Sequence, residues 1–236
     1  MNKNPNQENK SRIVEIYTGA YASGKSEISI NRALMLRNEE FPVTLVDLDT
    51  VEPAYTLRPL KKELETYGIQ IITQESYFGL GETGNVITPQ QQNCLKLNND
   101  SIIIDVGYGA GGLDILNLVT GIEEEKNLNI YIVINASKPE TSSVELIVDY
   151  VKWSLGTGKQ KWKSFSGIIS NTHFSDETES KDVLKGFEIT SKAAEILNIP
   201  IRAIAVSEKL YPEFESMIYS GISVWPLKRF MPKALW

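Results

Sequence analysis

Apolar runs recur along the chain at intervals that leave room for helices between them. Arg12 to Thr18 (RIVEIYT), Val43 to Asp49 (VTLVDLD), Ile69 to Thr73 (IQIIT), Ser101 to Val106 (SIIIDV), Asn129 to Asn135 (NIYIVIN), Gly167 to Asn171 (GIISN) and Ile201 to Val206 (IRAIAV) read as strands. Most are short and rich in Ile and Val, as parallel strands buried on both faces are. Helical spacing fills the stretches from Lys25 to Glu40, Leu57 to Tyr67, Pro89 to Leu97, Leu113 to Thr120, Thr141 to Leu155 and Glu177 to Leu197. This alternation predicts an α/β domain of three layers, with a mainly parallel central sheet flanked by helices. Ligands in such folds sit beyond the carboxyl ends of the strands, so the residues just after each strand carry the candidate chemistry.

The first of these positions is the most informative. Gly19-Ala20-Tyr21-Ala22-Ser23-Gly24-Lys25-Ser26 matches G-x-x-x-x-G-K-[ST] without a gap, between a predicted strand and a predicted helix, which is the context the motif requires. Glycines let successive N–H groups turn inward, and a helix N-terminus adds partial positive charge, so a polyphosphate can be held by backbone amides. Lys25 is then expected to reach the β- and γ-phosphates and the Ser26 hydroxyl to ligate Mg²⁺. Nucleotide binding by a P-loop NTPase fold is the firmest expectation.

Two further strand ends supply carboxylates. Asp105, behind three isoleucines, fits the Mg²⁺-side aspartate of such a site, and Gly107 follows where a backbone N–H can approach the γ-phosphate. Asp47 and Asp49 are two residues apart, so a continuous strand would present both on one face, ahead of a turn at Glu52-Pro53.

Composition narrows the chemistry. The 236 residues include one Cys and one His, which excludes intramolecular disulfides, cysteine-cluster zinc sites and multi-histidine metal centres. A net charge of −6 argues against a globally basic nucleic-acid-binding surface. No stretch is apolar enough to span a membrane, and the opening MNKNPNQENK lacks the apolar core of a signal peptide. The expectation is a flexible polar segment over 1–11 and one domain over 12–236, in a reducing cytoplasm. Cys94 reads as a small core residue and His173 as a loop histidine. Lys152, Lys159, Lys161 and Lys163, interleaved with Trp153 and Trp162, read as an exposed loop rimmed by lysines. The stretch from Trp225 to Trp236, broken by Pro226 and Pro232, is expected to pack onto the domain or a partner rather than form a membrane helix.

The phosphate loop together with VDLDTVEPAY, IIIDVGYGAGG, IYIVINASKPET and GIISNTHFSDET resembles the MinD/ParA/CobQ/CobB-type branch of P-loop nucleotide-binding proteins, over about 12–206. The resemblance implies ATP binding with Mg²⁺, slow hydrolysis, and control of a homodimer or of another protein partner by ATP or ADP. It also implies that Asp49 polarises the attacking water, that Asp47 lies near the Mg²⁺ shell, that Asp105 is the Walker-B-type residue and Gly107 the second switch, and that Asn171 reads the adenine. Residues after Val206 would line the base pocket, without a matching motif. The family's deviant loop carries a signature lysine directly after its first glycine; here that position is Ala20, so the loop is closer to an ordinary Walker A. Two other functions stay open: an ATP-dependent ligase acting on a small carboxylate, of the dethiobiotin-synthetase or cobyrinate-synthase kind, and a non-catalytic nucleotide-gated maturation factor.

Overall fold

The structure is a computed structural model that describes residues 11–50, 57–74, 87–97, 100–156, 162 and 164–234. The Glu52-Pro53 turn, the segment before residue 11, and Lys159, Lys161 and Lys163 lie outside the described residues.

In chain order the elements are β1 (Val14–Gly19), α1 (Lys25–Asn38), β2 (Val43–Leu48), α2 (Lys61–Thr66), β3 (Ile69–Ile72), α3 (Pro89–Gln92), α4 (Cys94–Leu97), β4 (Ser101–Val106), α5 (Gly109–Asp114), β5 (Leu128–Ile134), α6 (Val144–Ser154), β6 (Gly167–Ser170), α7 (Ser180–Leu197), β7 (Ile201–Ser207), α8 (Glu215–Tyr219) and β8 (Val224–Leu227). The strands form one eight-stranded sheet in the order β3-β2-β4-β1-β5-β6-β7-β8. Every pairing in it is parallel.

Alternation along the strands sends side chains to two cores. Val14, Ile16, Ile102, Ile104, Ile130 and Ile132 pack on one face with Ile147 and Val151 of α6 and Ala193 of α7. Tyr17, Leu45, Ile103 and Val133 pack on the other with Ile28, Ala33 and Leu36 of α1. Burial on both faces is why the strands lack polar alternation. Cys94 is completely buried in the first of these cores, and its burial pushes the thiol up to about 11.

The seven expected strands are present, and an eighth, β8, was not anticipated. Pro226 lies inside it, which argues against a strand in sequence reading, but β8 is an edge strand, where a residue without an N–H is tolerated. Trp225 anchors it: the guanidinium carbons of Arg32 and Arg202 each lie 5.5 Å from its ring centroid. Arg32 in turn makes a bidentate pair with buried Glu15, at 2.8 and 3.1 Å.

Several helices are shorter than their patterns suggest. The stretch from Leu57 to Tyr67 opens with a 3-10 turn at Arg58–Leu60 before α2. Pro89 to Leu97 is broken at Asn93. The helix expected from Leu113 starts earlier, at Gly109, and passes into a 3-10 turn at Ile115–Leu118. Ser143 caps α6, accepting the Leu146 N–H at 3.3 Å, so the helix begins after Thr141 rather than at it.

Candidate functional site

Strand order brings the sequence motifs together. β4 lies between β1 and β2, with Tyr17 and Asp47 both paired in register with Asp105. All three strands deliver their carboxyl ends to the start of α1, the position at which α/β sheets hold ligands.

The loop from Gly19 to Ser26 connects β1 to α1 through two left-handed residues, Ala22 at φ 52 and Gly24 at φ 89. Gly24 has a second constraint: a Cβ there would lie 2.3 Å from the Asn171 side-chain nitrogen. The turn closes with the Ser23 N–H donating to the Ala20 carbonyl at 3.1 Å. No side chain caps α1, and its own ladder begins with the Ile28 N–H donating to the Gly24 carbonyl at 2.9 Å, so the N–H groups ahead of it face the direction in which the helix dipole favours an anion. Ala20 is buried, whereas Tyr21 is half-exposed and stands edge-on to Tyr108 at 6.0 Å.

Lys25 lies inside this loop, and its Nζ is 2.9 Å from Asp49 Oδ2, with both side chains buried. Burial opposes its charge, yet Asp49, Asp105 and Asp47 outweigh that and hold its pKa above the ordinary value. Asp105 is completely enclosed. Desolvation pushes its carboxyl up to about 8 against the pull of Lys25 and of a hydrogen bond from Ser26, and Ser29 Oγ approaches it at 3.5 Å. Thr18 Oγ1 donates to the Gly107 carbonyl at 3.0 Å, fixing the backbone just after β4.

Asp47 and Asp49 do different jobs. β2 ends at Leu48, so Asp49 already lies beyond the strand. The Asp47 carboxylate accepts N–H bonds from Asp49 at 3.1 Å and Leu57 at 2.9 Å, and a hydroxyl bond from Thr73 at 3.3 Å. Desolvation nevertheless raises its pKa to about 6. Asp47 thus braces the end of β2, and Asp49 is the carboxylate that reaches Lys25.

Among the described residues no group of three or more His, Cys, Asp or Glu side chains gathers as a metal cage. The oxygen donors of Ser26 and Asp105 nonetheless suit a hard cation that keeps water and phosphate oxygens in its shell, as Mg²⁺ does.

Asn171, just past β6, sits against the loop from the other side. Its Nδ2 donates to the Ser23 carbonyl at 2.8 Å, leaving the side-chain carbonyl and one N–H for another partner. Beyond it opens a cleft of about 460 Å³ running from Tyr21, Lys25 and Ser26 past His173 to Leu227, Arg229 and Met231. His173 accepts the Ser175 N–H on Nδ1 at 3.2 Å, which requires the neutral ring. Burial and the nearby cations Lys138 and Arg229 push its pKa down to about 4. The far wall of the cleft was invisible to motif reading, because Leu227 to Pro232 match no pattern and β8 was hidden by Pro226.

The eight-stranded parallel sheet flanked by helices, with this loop at its carboxyl end, is the P-loop NTPase α/β/α fold. Among solved structures the chain is similar to the cell division protein FtsY from Thermotoga maritima, with 17% identity and a TM-score of 0.55 over 94% of this chain and 66% of that one. It is also similar to FtsY from Mycoplasma mycoides, with 16% identity and a TM-score of 0.53 over 84% of this chain and 61% of that one. A third likeness is to the signal recognition particle receptor FtsY from Elizabethkingia anophelis in complex with GDP, with 15% identity and a TM-score of 0.57 over 97% of this chain and 64% of that one. The chain thus spans 61–66% of the length of these proteins. At such identities the likeness carries the fold. The sequence matches no protein-family model and no curated protein. Among the described residues no helix is long and apolar enough to cross a membrane.

Proposed function

We propose that this chain is a Mg²⁺-dependent ATP-binding protein that hydrolyses ATP slowly and uses its nucleotide state to control its own conformation or a partner, a second copy or another protein. The observation that carries this reading is a buried lysine among three aspartates, at the uncapped N-terminus of α1, opening onto a cleft of about 460 Å³.

In this reading the loop N–H groups and Lys25 hold the phosphates, with Gly107 beside the terminal one. Ser26 and Asp105 hold Mg²⁺, which when bound spreads the charge that develops on the phosphate oxygens. Asp47 stays behind them as the brace for Asp49. Lys25 now spends one of its three N–H donors on Asp49, at 2.9 Å, and phosphate oxygens would compete for it. Nucleotide binding therefore draws the lysine away and leaves the Asp49 carboxylate to orient the attacking water. Asn171, tied to Ser23, presents its remaining polar atoms to the base, and adenine is the base proposed.

The test is direct. Purified protein is expected to release phosphate from ATP only with Mg²⁺, to lose that hydrolysis in Lys25→Ala, and to bind ATP but turn it over far more slowly in Asp49→Asn. Wild-type turnover in Asp49→Asn would remove that residue from the mechanism, and a strong preference for GTP would overturn the adenine assignment.

A further inference from the structure

The end of β8 and the segment after it form one side of the cleft: Leu227, Arg229, Met231 and Pro232 all line it. Its inner margin is fastened to α1, the helix that starts at the phosphate loop. Asn31 both donates to the Lys228 carbonyl and accepts the Lys228 N–H, each at 2.8 Å. Glu27 accepts the Met231 N–H at 2.9 Å and also the Phe230 N–H. Phe230 is fully buried and meets Tyr67 edge-on at 6.2 Å. Glu27 and Asn31 are four residues apart, so they share one face of α1.

The outer margin is held differently. Arg229 forms an ion pair with Asp176, and Asp176 lies in the short turn after β6, between Ser175 and Thr178, which line the opposite side of the same cleft. That turn is stiffened within itself, since Thr178 Oγ1 accepts the Phe174 N–H at 2.9 Å and donates to the Ser175 carbonyl at 2.7 Å. One ion pair therefore joins two walls contributed by segments 53 residues apart.

We infer that residues 227–232 are a retention strap across the nucleotide cleft, and that the Arg229–Asp176 pair is its clasp, setting how fast bound nucleotide leaves. The inference rests on the nucleotide reading of this cleft. The clasp is suited to tuning a rate because both side chains reach solvent, with relative exposures of 38% and 87%. Exposed pairs are worth up to about 1 kcal/mol, which is about fivefold in a rate constant. Such a contact opens spontaneously and lets ligand pass, while the α1 anchors keep the strap in place.

The experiment is a chase of a fluorescent ATP analogue from wild-type protein, Arg229→Ala, Asp176→Ala, the double alanine variant, and the swap Arg229→Asp with Asp176→Arg. Each single alanine variant is expected to release nucleotide about two to five times faster, the double variant no faster than either single, and the swap close to wild type. High salt should bring wild type to the rate of the single variants. Unfolding temperatures without nucleotide should fall by no more than about 2–4 °C, the worth of one exposed pair. Unchanged release in the variants overturns the clasp, and so does an effect confined to Arg229→Ala, which would mean a direct contact between arginine and nucleotide. If wild-type protein binds no nucleotide, the reading of the whole cleft fails and the clasp with it; binding by wild type with unaltered variants removes the clasp alone.

Discussion

The two ends of the cleft are built on different plans. At the end proposed for the phosphates, eight consecutive residues supply a loop, a lysine and a hydroxyl, and two strand ends supply the carboxylates. At the end proposed for the base, Asn171, His173, Val206, Leu227, Arg229 and Met231 come from three separate strand exits. A polyphosphate needs a row of backbone N–H groups in a fixed curve, which only a contiguous segment with special torsions can provide. A base needs a slot and a few polar atoms, which packing can assemble from distant segments. Chemistry that depends on backbone geometry is written locally, and chemistry that depends on side-chain shape is distributed.

Four substitutions or conditions should sharpen this contrast. The largest effect is expected from Lys25→Ala, which removes a buried charge-assisted contact worth about 3 kcal/mol, or about 100-fold in nucleotide affinity; titration calorimetry reads it directly. Retention of wild-type affinity would mean that the lysine serves only Asp49.

Gly24→Ala should come next. It places a side chain at φ 89 and a Cβ 2.3 Å from Asn171. Denaturant unfolding should show a loss of about 2–3 kcal/mol, since left-handed strain and the clash add. This single position tests both ends, because the displaced Asn171 would release the Ser23 carbonyl.

Asn171→Ala should weaken binding about tenfold, the worth of one or two buried hydrogen bonds. If the two ends differ as described, it should also change the ratio of ATP to GTP affinity, whereas Lys25→Ala should not. Equal effects on that ratio would erase the distinction.

The smallest effect concerns acid. His173 titrates near 4 in the folded chain against an ordinary 6.5, so the unfolded state takes up the proton first. Folding stability is then complete above about pH 6.5 and falls as pH drops toward 4. Partial exposure of the ring limits the loss to about 1 kcal/mol. His173→Asn should flatten that part of the stability profile, and an unchanged profile would mean that the imidazole does not titrate as described.

How much of this could be read beforehand follows from the same contrast. Buried parallel strands announce themselves, because a run such as Ser101 to Val106 has no solvent face to encode. The places of the loop from Gly19 to Ser26, between β1 and α1, and of Asp105, near the end of β4, were legible too, since the motif's spacing and the isoleucine run mark them. The anchoring of the Asp47 carboxylate was not, because a two-residue spacing says nothing about the N–H groups of Asp49 and Leu57 that it accepts. The wall from Leu227 to Pro232 was legible only as far as the family resemblance put residues after Val206 in the cleft; no spacing could place it, because it depends on Glu27 and Asn31 about 200 residues earlier in the chain. Pro226 concealed β8, because the rule that excludes proline from strands relaxes only at a sheet edge, and which strand is the edge is a property of the assembled sheet.

Cys94 has a practical consequence. It is the one thiol in the chain, it is buried, and burial holds it protonated far above neutral pH. Maleimide chemistry at pH 7 acts on thiolates and should therefore pass it by. A cysteine introduced at Tyr21 or Glu177, which leaves the Arg229–Asp176 pair in place, would carry a dye alone, without first stripping the native residue, so the opening of the cleft could be followed by single-molecule fluorescence on an otherwise natural chain.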